Sequence, residues 1–207
     1  MSKKAKKKNY HHGNLFDAIL AASTKLIVKK GVAGFSLREA ASHIGVDPSA
    51  CYRHFKNKNS ILHALAQKGF MKLALMIDIE LKDYSSATVE KKIEILGFTY
   101  FTFASTQTAF FRIMFGPLGV DSRDSSLAGH YPNNEGPYDT LLRLVNLWIK
   151  QNNLNTQSET VSLELWSSIH GLTCLVLDGA LQTELKFTNM QQLIKNHISS
   201  ILKGHKN

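Results

Sequence analysis

The chain has 207 residues, 43% of them hydrophobic, and a formal net charge of +9 at pH 7. This hydrophobic content is sufficient for a folded core, so the composition excludes a wholly disordered chain. Without a run of eighteen apolar residues or the apolar stretch of a signal peptide, we predict a cytoplasmic protein with no membrane contact. The two cysteines lie far apart without metal-ligand spacing, which predicts free thiols and no bound metal or cofactor.

The net charge is confined to the N-terminal part of the chain. The first 60 residues carry twelve basic and three acidic side chains, whereas residues 61–207 carry thirteen of each. A basic patch of this kind predicts contact with nucleic-acid phosphates. The lysines at positions 3–8, taken alone, are equally consistent with a solubilising tail.

Capping residues and helical periodicity predict four helices in the N-terminal part. The first follows Asn14 and ends at the cations and glycine of 29–31, and the second opens with a Ser-x-x-Glu capping box and covers 36–44. A third helix begins after an Asp-Pro pair and covers 47–54, because proline is favoured in the first helical turn. A fourth starts near residue 57 and continues through an apolar-rich run to residue 81.

The C-terminal part is also predicted to be helical. A helical apolar pattern resumes at residue 93, and a phenylalanine-dense region follows up to residue 115. Residues 116–137, which are rich in turn-forming residues, are predicted to form a loop with at most a turn of helix. Three further helices are predicted at 138–151, 159–177 and 189–202. The expected fold is therefore all-α, with about nine helices and no sheet.

Residues 36–55 have the plan of a helix-turn-helix, in which Ala41 and Gly45 let two short helices cross closely. The second helix of such a unit enters the major groove with its outward side chains. Cys51 and Phe55 form its buried side. Cys51 has two interpretations, a thiol that distorts the helix on oxidation or a structural buried cysteine. The predicted DNA contacts of this segment are Ser49, Ala50, Tyr52, Arg53, His54 and, at the start of the next helix, Lys58.

The segment from Gly34 to Lys58 resembles the DNA-binding signature of the tetracycline-repressor (TetR) family. Gly-Val at 45–46, Tyr-x-His-Phe at 52–55 and the following lysine match that signature without a gap. The opening Tyr-His-His-Gly-Asn at 10–14 resembles the lead-in of many members. The resemblance implies an approach to DNA by the start of the second helix and by the recognition helix. The positions that it adds to the DNA-binding set are Ser36, Leu37, Arg38 and Pro48.

A second segment, Trp166-Ser-Ser-Ile-His-Gly171, resembles the Trp-x-x-x-His-Gly signature of one class of TetR ligand-binding domains. The resemblance implies a homodimer formed through the last two helices, and a ligand cavity that shifts the spacing of the paired DNA-binding heads. The expected organisation is a basic arm (1–12), a three-helix DNA-binding domain (13–60) and a larger ligand-binding and dimerisation domain (61–207).

The aromatic side chains of the larger domain have two interpretations. They form an ordinary core, or some of them line an apolar cavity that contains few polar groups. His170 and Gly171 are open to the same choice, since a glycine also permits a close helix-helix contact. The residues predicted to line a ligand cavity are Phe101, Phe111, Met114, Trp148, Trp166 and His170.

The predicted function is a ligand-responsive transcriptional regulator. We expect a repressor that is released from a palindromic operator by a small, largely apolar effector. An enzyme is not expected, because the sequence contains no HExxH, GxSxG or GxxxxGK[ST] motif. The alternative is a ligand-independent architectural DNA-binding protein, although such a protein would not need a large uncharged second domain.

Overall fold

The computed structural model describes residues 15–116, 131–181 and 187–206. These residues form nine α-helices and no strand, which confirms the all-α prediction. By its contacts the chain divides into two compact units, Met1–Leu65 and Ala66–Asn207. The helices are α1 (Leu15–Gly34), α2 (Leu37–Ile44), α3 (Pro48–Tyr52), α4 (Lys58–Asp83), α5 (Val89–Thr106), α6 (Thr108–Met114), α7 (Pro137–Gln151), α8 (Ser158–Leu177) and α9 (Phe187–Gly204).

Side-chain caps fix the beginnings of the short helices in the first unit. Ser36 accepts a hydrogen bond from the backbone N–H of Glu39, as the capping box predicts. Asp47 caps α3 in the same way, and its carboxylate accepts from the N–H of Ser49 at 2.8 Å. Gly45 ends α2 in the left-handed region, with φ 74°, where a glycine has no Cβ to clash. Two short helices are thereby held on either side of a tight turn.

The predicted end of the first helix differs from the structure. Helical structure extends to Gly34, but Gly31 lies inside it with φ 73° and ψ 170°, which are not helical angles. The glycine therefore interrupts the helix as predicted, and a further turn follows it. The predicted cap Asn14, the basic arm and most of the predicted 116–137 loop lie outside the described residues. Within that loop Pro132–Asn134 form a short 3-10 turn.

In the second unit α5 is the central helix, in contact with α6, α7, α8 and α9. The core interpretation of the phenylalanines holds for most of them, because Phe101, Phe103, Phe110 and Phe111 are all buried. Gly97 lets α5 approach α9 closely, since a Cβ there would lie 2.8 Å from the Ile198 Cδ1.

Helix α8 is apolar and long enough, by length and composition alone, to cross a membrane, and 33% of that stretch is buried. Its buried residues, which include Val161, Leu165 and Ile169, lie on the side where α8 contacts α5, α7 and α9. One side of helix α8 therefore packs against the other helices of the second unit. Among its other apolar side chains, Leu163 and Leu175 are exposed.

Candidate DNA-binding site and effector cavity

Helix α3 presents one exposed polar face. Ser49, Tyr52 and Arg53 lie three and four residues apart, so they share a side of the helix, and all three are exposed. The hydroxyls and the guanidinium on this face are hydrogen-bond donors suited to base edges and phosphates. Arg38, near the start of α2, is also exposed, and so is Ser36. Pro48 is half-buried at the first turn of α3.

The opposite side of α2 and α3 faces the core of the first unit. Cys51 is fully buried and Phe55 is 3% exposed, as predicted for the inner side of the helix. Leu37 and Ala50, which the sequence places in the DNA-binding set, are also buried, at 4% and 8% exposure. Their side chains leave little surface for a base edge, and their place in the DNA-binding set stays a prediction.

Asp47 places a carboxylate beside the exposed face of α3, where its charge would oppose DNA phosphates unless it has a structural role. Hydrogen bonds from Ser49, together with the nearby Arg53 guanidinium, lower the pKa of its carboxyl. The carboxylate is therefore charged and engaged as the cap of α3. Cys51 is fully buried, so an oxidant has no access to its sulfur, and this favours the structural interpretation over a redox-sensing role; burial also raises the pKa of its thiol.

Lys58 and His54 already make contacts within the first unit. The Lys58 ammonium donates to the backbone carbonyl of Ala33 at 3.1 Å and lies 6.0 Å from the centre of the Phe35 ring. The exposed His54 ring lies edge-on to Phe16, with centroids 6.4 Å apart. Since an ammonium has three N–H donors, Lys58 retains donors for a phosphate.

The second unit contains two small apolar cavities of about 30 Å³ each. Both are bordered by Leu96, Tyr100, Leu141 and Trp166. A drug-sized ligand needs roughly 300 Å³ or more, so these cavities in the described state hold only a few atoms. An effector would have to enlarge them by moving the rings on their walls.

A hydrogen-bonded polar group lies beside these cavities. The Tyr100 hydroxyl is 2.7 Å from His170 Nδ1, and the Trp166 indole acts to lower the pKa of this hydroxyl, although burial has the larger, opposite effect. On the other side of the imidazole, His170 Nε2 is 3.5 Å from the Cys174 sulfur. Burial lowers the pKa of His170 and raises that of Tyr100, so both groups are neutral at pH 7.

The six residues predicted to line a cavity occupy different environments. Trp166 borders both small cavities, and His170 is in ring contact with Phe111 and Trp166. Met114 contacts α4, because its sulfur would lie 2.5 Å from a Cβ at Gly69. Trp148 and Phe101 are buried and border neither cavity. Tyr100 and Cys174, which lie beside His170, were not among the residues predicted from the sequence.

A larger cleft of about 420 Å³ lies between α4, α5 and α9. Its lining includes Glu80, Lys91, Glu94 and Lys195, with Lys91 and Glu94 paired at 3.2 Å. This polar lining does not match the largely apolar effector expected from the sequence. Among the described residues no group of three or more His, Cys, Asp or Glu side chains could hold a metal ion.

The geometry of the first unit agrees with a comparison against protein families. Residues 19–65, which include α2, α3 and the start of α4, match the family described as bacterial regulatory proteins, tetR family. Residues 19–65 therefore form a TetR-type DNA-binding domain. Members of this family are DNA-binding regulators and not enzymes. No curated protein matches the chain.

Solved structures share the fold of this chain over almost its full length. A protein of unknown function from Rhodococcus sp. RHA1 superposes with a TM-score of 0.75 at 22% identity, over 97% of this chain and 100% of that one. The fatty acid degradation regulator FadR from Bacillus halodurans gives 0.65 at 19% identity, over 96% and 98%. A tetR-family regulatory protein from Rhodococcus RHA1 gives 0.64 at 17% identity, over 92% and 96%.

Proposed function

We propose that the protein is a cytoplasmic repressor that binds a palindromic operator as a homodimer. A small, largely apolar effector enters the second unit and lowers operator affinity. The observation that carries the DNA-binding part is the exposed face of α3, where Ser49, Tyr52 and Arg53 project from a capped helix-turn-helix. Arg53 is the best candidate for base readout, because its guanidinium can donate two parallel hydrogen bonds to a guanine.

Selection of binding sites from a pool of random DNA duplexes tests this proposal. The selected sequences should contain an inverted repeat with half-sites about one helical turn, ~34–36 Å, apart, because one small head reads few base pairs. Enrichment without a common motif would instead favour the alternative, a ligand-independent architectural protein. The selection should be made at a fixed salt concentration, since the phosphate contribution depends on it.

The dimer contact is assigned to α8 and α9 because α8 leaves large apolar side chains uncovered. Leu163 is 56% exposed and Leu175 is 48% exposed. Gly171 lies between them, is exposed, and has nothing within 4 Å of a Cβ built on it. A stripe with two leucines and a central glycine supports close approach of a second copy of the helix.

The effector site is assigned to the small apolar cavities around Tyr100 and Trp166. Their walls are apolar apart from the hydroxyl and the indole N–H, and the neighbouring imidazole is neutral. An uncharged, largely apolar ligand would therefore not leave a buried charge unpaired. Opening the cavity would move α5, α7 and α8 apart. The open and closed forms are then two states, and an effector that binds the open form shifts the equilibrium toward it.

Intrinsic fluorescence provides the effector test, because the two tryptophans differ in environment. Trp166 borders the cavities, whereas Trp148 is fully buried elsewhere. Uncharged aromatic compounds that bind should change the emission of the wild type and leave that of W166F unchanged. W148F is the matched control and should keep the response. A response carried by Trp148 alone would contradict the assigned site.

A further inference from the structure

We propose that Cys174 is a covalent effector site, at which His170 promotes addition of the thiol to a planar conjugated carbonyl compound such as a quinone or an enone. The addition itself requires only the second unit. Its consequence for transcription rests on the proposed function.

The geometry provides a nucleophile, a base and a residue that positions the base. Cys174 and His170 are four residues apart on α8, so they share a face of the helix, and the sulfur is 3.5 Å from Nε2. The other ring nitrogen, Nδ1, lies 2.7 Å from the Tyr100 hydroxyl on α5. When Nδ1 donates to that oxygen, Nε2 is left as an acceptor directed at the thiol. This is the arrangement of an activated cysteine.

The rings around His170 restrict its orientation. Its centroid lies 5.5 Å from that of Phe111, 4.9 Å from Phe115 and 6.4 Å from Trp166. Contacts on several sides limit rotation of the imidazole, so Nε2 remains directed at Cys174. The same aromatic surfaces favour a flat, conjugated ligand, because aromatic groups stack in offset or edge-on arrangements.

The thiol and the imidazole are both neutral at pH 7, so the proton leaves sulfur during the addition and not before it. Burial raises the pKa of Cys174, so the thiol keeps its proton at pH 7 and does not react as a free thiolate. Burial lowers the pKa of His170, so its imidazole is neutral and able to accept that proton. Reaction at Cys174 therefore depends on its neighbour, in contrast with a cysteine that ionises by itself.

Arg112 places a cation near Cys174, at the C-terminal end of α8. Arg112 on α6 forms an ion pair with Asp178, which directly follows α8, and both side chains are about half exposed. Their charges act on the Cys174 thiol with opposite signs, since Asp178 raises and Arg112 lowers its pKa. The guanidinium can therefore donate to the carbonyl oxygen of an incoming conjugated compound, where negative charge develops during addition.

The addition is balanced without a further reactant. The sulfur forms a bond to the β-carbon of the conjugated carbonyl compound while its proton passes to His170 Nε2. The carbon-carbon double bond opens to an enolate, whose oxygen accepts from Arg112. The proton on His170 is then delivered to the enolate. The product is a thioether, and His170 returns to its neutral form.

Mass spectrometry with N-ethylmaleimide as the conjugated carbonyl probe tests the proposal in the absence of DNA. One adduct is expected at Cys174 before any at Cys51, which is fully buried and serves as the internal control. In C174S this fast adduct should be absent. Replacement of the base in H170Q should slow addition at pH 7 by about 100-fold, the lower range of general-base contributions.

The pH dependence gives a readout that a purely structural role of His170 would not produce. Between pH 7 and 8 the wild-type rate should be nearly constant, because the base is already neutral. In H170Q the rate should rise about tenfold per pH unit, following ionisation of the thiol. If H170Q unfolds, seen as loss of helical circular dichroism, the wild-type profile alone decides the matter.

Two results would overturn the proposal. They are modification of Cys174 no faster than that of Cys51, and a wild-type rate that rises tenfold per pH unit. Neither result bears on operator selection, so failure of the covalent site remains distinguishable from failure of the DNA-binding proposal. If the adduct forms, comparing operator affinity before and after modification shows whether it regulates the protein.

Discussion

Among single side chains of the first unit, Arg53 and Lys58 have different surroundings. Arg53 follows the last residue of α3 and its side chain is exposed. Lys58 begins α4, is only partly exposed, and donates to the carbonyl of Ala33. We expect Arg53 to contribute to sequence recognition and Lys58 to contribute mainly to phosphate binding, because phosphate contacts carry no direct sequence information.

The substitution R53A should weaken operator binding by ~1–3 kcal/mol and relax the preference at one position in each half-site. The matched control is R143A, which removes an exposed arginine paired with Glu135 on the second unit and should leave the affinity unchanged. Fluorescence anisotropy on the operator and on single-position variants measures both effects. An equal loss on operator and random DNA would assign Arg53 to phosphate contact instead.

The substitution K58A should weaken binding to operator and random DNA alike. It should also reduce the slope of log affinity against log salt by ~1, as expected when one lysine no longer neutralises a phosphate. Because the hydrogen bond to Ala33 is removed as well, the free energy of unfolding should fall by ~1 kcal/mol. Thermal unfolding of the free protein separates the two effects, and K150A on α7 is the charge control. An unchanged salt slope would show that Lys58 has only the intramolecular role.

Features that depend on residues close together in the sequence were predicted well. The caps at Ser36 and Asp47 and the glycine at the end of α2 lie where the local pattern requires them. The burial of individual side chains was harder to predict. Leu37 and Ala50 are buried because of how their helices pack against other helices, and the local sequence does not specify this packing. The group around His170 was missed for a similar reason. Cys174 is detectable from its spacing of four residues, but Tyr100 lies 70 residues away in the sequence.

Helix α8 gives the clearest prediction for a whole element. In the double variant L163K/L175K, two charges replace the exposed leucines, and the dimer should dissociate to a monomer because these charges would be buried between copies. The matched control, L75K/I79K, places two lysines on the exposed apolar side of α4, where both residues are also about half exposed, and should remain dimeric.

Light scattering coupled to size-exclusion chromatography distinguishes these outcomes at micromolar protein. A dimer that persists in L163K/L175K would exclude this face of α8 from the interface. A monomer in L75K/I79K would transfer the assignment to α4. Circular dichroism confirms that each variant retains its helices, since the leucines are exposed in the single chain.

Helix positions were predicted more closely than cavity size. Helices α7, α8 and α9 begin and end within two residues of the predicted limits, because their apolar periodicity and capping residues are local signals. The near-closure of the apolar cavities could not be predicted. It depends on how Leu141 of α7 and Trp166 of α8 fill the space beside α5, which no sequence spacing encodes.

For the whole molecule, the proposed function requires the effector and the operator to bind different states of the second unit. A coupling of ~1–3 kcal/mol, or about 5–150-fold in operator affinity, is the expected range. The coupling is reciprocal, so operator DNA must weaken effector binding by the same factor. Titrating the fluorescence response of Trp166 with and without operator measures how much operator DNA weakens effector binding.

The central claim is sequence-specific DNA recognition by the helix-turn-helix of the first unit. Its most direct test is the ratio of the dissociation constants for random DNA and for the selected inverted repeat, at one physiological salt concentration. We predict a ratio of at least ~10³, as for specific regulators, with a large part of it removed in R53A. A ratio near one for the wild type would contradict the claim and identify a DNA-binding protein that does not read sequence.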